Sequence, residues 1–116
     1  MPIVVVYGIP EQAKPVQIKS LRADLAFAVA SIEELGVQPS GVYVYPLKEM
    51  QDFGFSSGLG AISAVVQLYQ NEKRTRGVLE KVAKRVVETI KRREFADFKK
   101  VGCDIQFLAG ISYEEE

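Results

Sequence analysis

Apolar positions along the chain alternate between two periods. Pro2–Tyr7 (PIVVVY) is a short run rich in β-branched residues, which predicts a buried strand. Its opening proline suits the first position of a strand, where a missing backbone donor is tolerated. From Pro15 the spacing becomes helical: Ile18, Leu21, Leu25, Val29, Ile32 and Leu35 recur on one face. Pro15 fits a first helical turn, and Gly36 with Pro39 supplies the stop. GVYVYP, Gly41–Pro46, alternates as a second strand. The glycine- and serine-rich stretch Lys48–Gly60 reads as a loop, and Ala61–Gln70 as a third strand. Helical spacing returns with Val78, Leu79, Val82, Val86, Val87 and Ile90, while Lys81, Lys84, Arg85 and Glu88 occupy the outer face. A last strand is expected over Asp104–Ile111, followed by an acidic end.

The element order is β-α-β-β-α-β, an α+β domain over 1–116 made of two β-α-β halves, about 1–57 and 58–116. Each half implies a parallel strand pair with a right-handed crossover. Each helix has one apolar stripe in this reading, so both are expected on one face of a four-stranded sheet. The strands are rich in Val, Ile and Tyr on both sides, so the other face needs a second layer. That layer is expected from further copies of the chain.

Composition narrows the chemistry. Fifteen basic and fifteen acidic side chains cancel, which gives no electrostatic reason to expect nucleic acid or an anionic membrane as partner. The first apolar run is too short for a signal peptide or a membrane span. Cys103 is the single cysteine, so no internal disulfide forms; a cytoplasmic setting and an inert, buried thiol are expected. Histidine is absent, which excludes Ser-His triads and ordinary zinc sites; no metal or cofactor is expected. One unusual base remains. Removal of Met1 would turn the Pro2 ring nitrogen into a free secondary amine, and apolar neighbours such as Ile3, Val5, Phe53 and Val66 would lower its pKa towards neutrality.

Four features stand in order along the chain: Pro2 at the start of a strand, IPEQAKP ending at Pro15, MQDFGFSSG with Phe53-Gly54 after the second strand, and KRT at Lys73–Thr75 before the second helix. Together they are similar to the tautomerase superfamily, which includes 4-oxalocrotonate tautomerase and macrophage migration inhibitory factor. The resemblance implies a trimer whose sheets pack around one axis, and a tautomerase-like isomerase acting on a small enol or 2-keto acid with Pro2 as general base. It implies that Arg74 binds the substrate carboxylate from a partly exposed position at the start of the second helix. Phe53 would form pocket wall. Tyr43 stands where one branch has an arginine, and Gln106 where relatives reach a neighbouring subunit's site. Val37, Gln12 and Val29 replace a lysine, an arginine and a histidine that other members use.

Two other readings stay open on the sequence. One is a non-catalytic oligomer of the same fold that binds a small acid. The other is a ferredoxin-like regulatory domain, which has the same element order. Strand order separates them: the tautomerase sheet puts strand 1 between 2 and 3, the ferredoxin-like sheet between 3 and 4.

Overall fold

Strand alternation decides the layering. The computed structural model describes residues 2–48, 61–97 and 99–108. Its elements are β1 Ile3–Ile9, α1 Pro15–Ala30, β2 Tyr43–Lys48, β3 Ala61–Tyr69, α2 Arg76–Lys91 and β4 Lys100–Leu108. The strands form one sheet in the order β2-β1-β3-β4. The β1–β2 and β3–β4 pairs are parallel, and β1–β3 is antiparallel. With β1 between β2 and β3, the ferredoxin-like arrangement is excluded.

Every second strand residue enters the core. Val4 and Val6 of β1, Val44 of β2, and Ile62, Ala64, Val66 and Leu68 of β3 are buried. They share one core with Leu21, Leu25 and Val29 of α1 and Val78, Val82, Val86 and Ile90 of α2. Both helices therefore cover the same face. The alternate residues turn to the open face, where Tyr7, Tyr43, Tyr45, Leu47 and Tyr69 each remain 45–52% exposed. Ile3, Val5 and Val65 lie half-buried among them. The apolar part of this face is concentrated on β1, β2 and β3. On β4 it gives way to Lys100, Gly102, Asp104 and Gln106.

Both helices are stopped and started by local hydrogen bonds. Gln17 reaches back to accept from the Lys14 N–H at 2.9 Å, and Pro15 follows Lys14 where no donor is needed. The Thr75 hydroxyl accepts from the Val78 N–H at the start of α2. The first helix is shorter than its apolar period suggests. It ends at Ala30, where the Ser31 hydroxyl donates back to the Ala28 carbonyl at 2.7 Å. Ile32 and Leu35 still reach the core, carried by a 3-10 turn over Glu33–Leu35 that Gly36 closes at φ +63°. An apolar period can thus outlast the helix that begins it.

Strand ends shift for similar reasons. A 3-10 turn at Pro39–Gly41 delays β2 to Tyr43, and the strand continues through Pro46 to Lys48. The Tyr43 N–H donates to the Pro2 carbonyl at 3.0 Å. In a parallel pair alternate residues face the partner, so Tyr43, Tyr45 and Leu47 direct their backbone groups at β1 while Pro46 turns its nitrogen to the free edge. The last strand begins earlier than expected, at Lys100, because Val101, Cys103 and Ile105 already pack on the core. Of the expected loop Lys48–Gly60, only Lys48 is among the described residues, and it ends β2; residues 109–111 of the expected last strand also lie outside them.

Gly8 stands where the β1–β2 register shifts between Val6 and Ile9. Its φ is +88°, and a Cβ there would lie 2.6 Å from the Ala61 carbonyl oxygen. Gly8→Ala is expected to cost about 1–3 kcal/mol from backbone strain alone, before the clash with backbone. Gly41→Ala, where a Cβ meets nothing within 4 Å, should leave stability nearly unchanged. Urea unfolding of the two variants makes the comparison.

Candidate functional site

One end of the sheet gathers most of the residues that the sequence singles out. Tyr43 pairs with Ile3, Ile3 with Gln67, and Gln67 with Gln106, which forms a continuous row across all four strands. Pro2 precedes this row on β1 and is buried. Extending the β1–β3 register by one step sets Pro2 beside Leu68, itself fully buried. Pro2 therefore has an apolar neighbour on the β3 side, and the Tyr43 N–H holds its carbonyl on the β2 side.

Arg74 comes to the same end by a different route. It lies in the turn between β3 and α2, one residue before the Thr75 cap, and is only 8% exposed. The sequence reading placed it partly exposed at the helix start; the chain instead folds it back onto the end of β3. There its Nη1 donates to the Tyr69 carbonyl. Its Nε is buried and has no hydrogen-bond partner among the described residues. A buried guanidinium with an unused donor departs from the usual rule that buried polar groups are paired. Such a donor can serve an acceptor that binds later, and it lies at the end of the strand next to Pro2.

The remaining candidates divide. Tyr43 adjoins Pro2 through the backbone, but its side chain is on the open face and half exposed. Gln106 is on the far edge strand, two strands from β1, or about 10 Å at the usual strand spacing. It accepts a hydrogen bond from Gln67 Nε2 at 3.4 Å and does not meet Pro2 within one chain. Phe53 lies outside the described residues. Cys103 is half-buried rather than buried; desolvation, helped by the Asp104 carboxylate, pushes its thiol up to about 11. A thiol so protonated is a poor nucleophile. Among the described residues no cluster of three His, Cys, Asp or Glu side chains could hold a metal ion. No helix among them is long and apolar enough to cross a membrane.

Tyr69 and Gln67 were not singled out from the sequence. The period-two alternation of the third strand contains the signal, since it sets Val65, Gln67 and Tyr69 together on the open face. That the Tyr69 carbonyl anchors Arg74 has no sequence signature, because a backbone acceptor belongs to every residue.

No protein-family profile matches the sequence, and no curated protein is similar to it by sequence. Solved structures share the fold. Wild-type fused 4-OT, an asymmetric trimer, superposes with a TM-score of 0.73 at 14% identity, over 91% of this chain and 85% of that one. Pt0534, solved after inactivation by 2-oxo-3-pentynoate, gives 0.74 at 14% identity over 96% and 91%. Malonate semialdehyde decarboxylase, solved as wild type, as a variant with its first-position proline replaced by alanine, and inactivated, gives 0.67 at 14% identity over 97% and 91%. The tautomerase-like fold expected from Pro2 and the two β-α-β halves is thus the fold observed.

Two outcomes follow from these surroundings. Arg74→Ala should lower stability by roughly 1.5–3 kcal/mol, the size of a lost hydrogen bond to a charged group. Arg76→Ala, whose partner Glu80 is also exposed, should cost under about 0.5 kcal/mol. Denaturant melts of the two variants separate them. Cys103 keeps its proton beyond the ordinary thiol value of about 9, so the unfolded chain ionises first. The Cys103 contribution to stability should therefore be constant below about pH 9 and fall away as pH rises towards 11, and Cys103→Ser should flatten that alkaline decline.

Proposed function

We propose that the chain is a tautomerase-like isomerase for a small enol or 2-keto acid, working as a homotrimer with Pro2 as general base. The observation that carries this reading is the burial of Pro2 at the sheet end where Arg74 also arrives. Burial disfavours the charged form of an amine, so a free Pro2 nitrogen would titrate below an ordinary α-amino group and accept a proton near neutral pH. In the reaction, Pro2 takes a proton from the carbon next to the substrate carbonyl, leaving an enolate. The same prolinium returns the proton to the enolate oxygen or carbon, which completes the exchange. Arg74 holds the substrate carboxylate with its unused donor, a charge-assisted bond that fixes the acid over the base.

The solved structures support this reading by their chemistry. One neighbour is inactivated by 2-oxo-3-pentynoate, a 2-keto acid, and another is a decarboxylase of malonate semialdehyde, an aldehyde acid, analysed through replacement of its first proline. The fused 4-OT neighbour is a trimer. The tyrosines and Leu47 on the open sheet face are the surface that three copies would bury together, and Gln106 would then approach a neighbour's site. A cytoplasmic setting belongs to the same reading, as do Tyr43 and Phe53 as pocket residues.

A second reading has an observation of its own. Arg74 already donates to the Tyr69 carbonyl, so its charge is partly engaged in holding the β3–α2 turn. A trimer with the same fold that binds an acid without turning it over would need no free Pro2 amine.

The two readings differ in one measurement. Processed protein should exchange the enol and keto forms of phenylpyruvate, and Pro2→Ala, which still permits methionine removal, should lose most of that rate. Intact mass confirms that Met1 is absent in both. Equal rates for the two proteins, or none above buffer, would leave the binding reading standing. Sedimentation should give three times the 12.9 kDa chain mass; a monomer at micromolar concentration contradicts both readings.

A further inference from the structure

The helical layer has an apolar seam that no described residue covers. The inward face of α1 is Ile18, Leu21, Leu25 and Val29. On the opposite side of the same helix stand Val16, Ser20, Ala23 and Phe27, spaced four, three and four residues apart. Residues so spaced share one face of a helix, and this spacing is that of a seam between packed helices. Val16 is 69% and Phe27 64% exposed. A surface helix normally turns its polar residues outward, as α2 does with Lys81, Lys84 and Glu88.

The rims of the seam are basic. On one side Lys19 and Arg22 project from α1 itself, both exposed. On the other, α2 packs alongside and leaves a groove of about 520 Å³ whose lining includes Phe27, Ala28, Arg85 and Arg92. Asp24 also lines it but is held by Arg93, which donates to Ser20 as well, and Glu88 lies between Arg85 and Arg92 on α2. Arg92 has no carboxylate partner among the described residues. From Arg76 to Arg93 the chain carries seven basic and two acidic side chains, although the whole sequence is neutral. Helix polarity favours cations at the C-terminal turn. Arg85 further up the helix donates to the Ser31 hydroxyl at 2.6 Å, and helix polarity gives no reason for an exposed phenylalanine beside it.

We propose that this seam docks an acidic amphipathic helix of another protein, its apolar stripe on Val16, Ala23 and Phe27 and its carboxylates on the basic rims. Self-association is disfavoured by charge. Across a two-fold axis each rim meets itself or the other, and both are basic. Duplex DNA is a poorer fit, since an apolar seam gains nothing from phosphates, and an anionic membrane is a poorer fit because Asp24 and Glu88, which line the groove, would face lipid phosphates. The seam lies on the layer opposite the open sheet face, so it would stay accessible in a trimer packed through its sheets. Helix-in-groove recognition has this form: apolar anchors at helical spacing and charges at the edges.

The test uses the full chain and an eighteen-residue peptide of leucine at helical spacing with glutamate elsewhere, labelled for fluorescence anisotropy. Its scrambled isomer keeps the charge and loses the apolar stripe. The ordered peptide is expected to bind at least about tenfold more tightly than the scrambled one. Phe27→Ser should weaken it about tenfold. Arg92→Gln should weaken it about threefold and reduce its salt dependence, and Lys100→Gln, a basic residue outside the seam, should leave it unchanged. All three positions are exposed enough to spare the fold, which melting curves check. Equal binding of the two peptides, or equal loss at Lys100, reduces the seam to general electrostatic attraction and overturns the proposal. So does tighter binding of duplex DNA or phosphatidylserine vesicles. A self-association that Phe27→Ser abolishes would assign the seam to a second copy instead.

Discussion

The fold depends on the antiparallel ladder between β1 and β3. Each β-α-β unit is complete in its own parallel pair, but only this ladder joins the two into one sheet. Its register runs from Ile3 opposite Gln67 to Tyr7 opposite Ser63. Because side chains alternate, this pairing sets Val4 beside Val66 and Val6 beside Ala64, all facing the helices. A slip of one residue would turn β3 over and put Gln67 and Ser63 into the core. The same ladder brings the amino end of β1 to the carboxyl end of β3. A residue at the start of the chain and a turn more than seventy residues later thus become neighbours.

That convergence explains why the site is built mostly from strand ends and a turn. The strands are rigid and fully paired, so they fix Pro2 and the Tyr69 carbonyl; the turn after β3 then folds Arg74 inward to meet that carbonyl. Chemistry placed there inherits the precision of the sheet without occupying its core.

Much of the fold is legible in the sequence because two periods dominate it. The third strand and the second helix end close to where their apolar residues end. Boundaries fail where a local polar bond intervenes, as at Ser31, or where a proline turn delays a strand, as at Pro39. The site is less legible. Pro2 is visible because its chemistry is unusual for any residue, and its burial follows from the strand it opens. The burial of Arg74 is invisible, since helix-start arginines are ordinarily solvated and its acceptor is a backbone carbonyl. Gln106 shows the limit of strand position as a guide: it lies on the edge strand, two strands from β1, and its side chain meets Gln67.

Pro46 has a consequence beyond its own strand. Along the outer edge of β2 the donors come from alternate residues, and one of these is a proline whose nitrogen carries no hydrogen. An incoming strand would find that rung missing, with the Lys48 side chain close by. For a chain whose neighbouring face displays Tyr43, Tyr45 and Leu47 to solvent, such an edge works against amyloid-like growth. The proline thereby acts as a gatekeeper, keeping a sticky sheet from extending strand by strand.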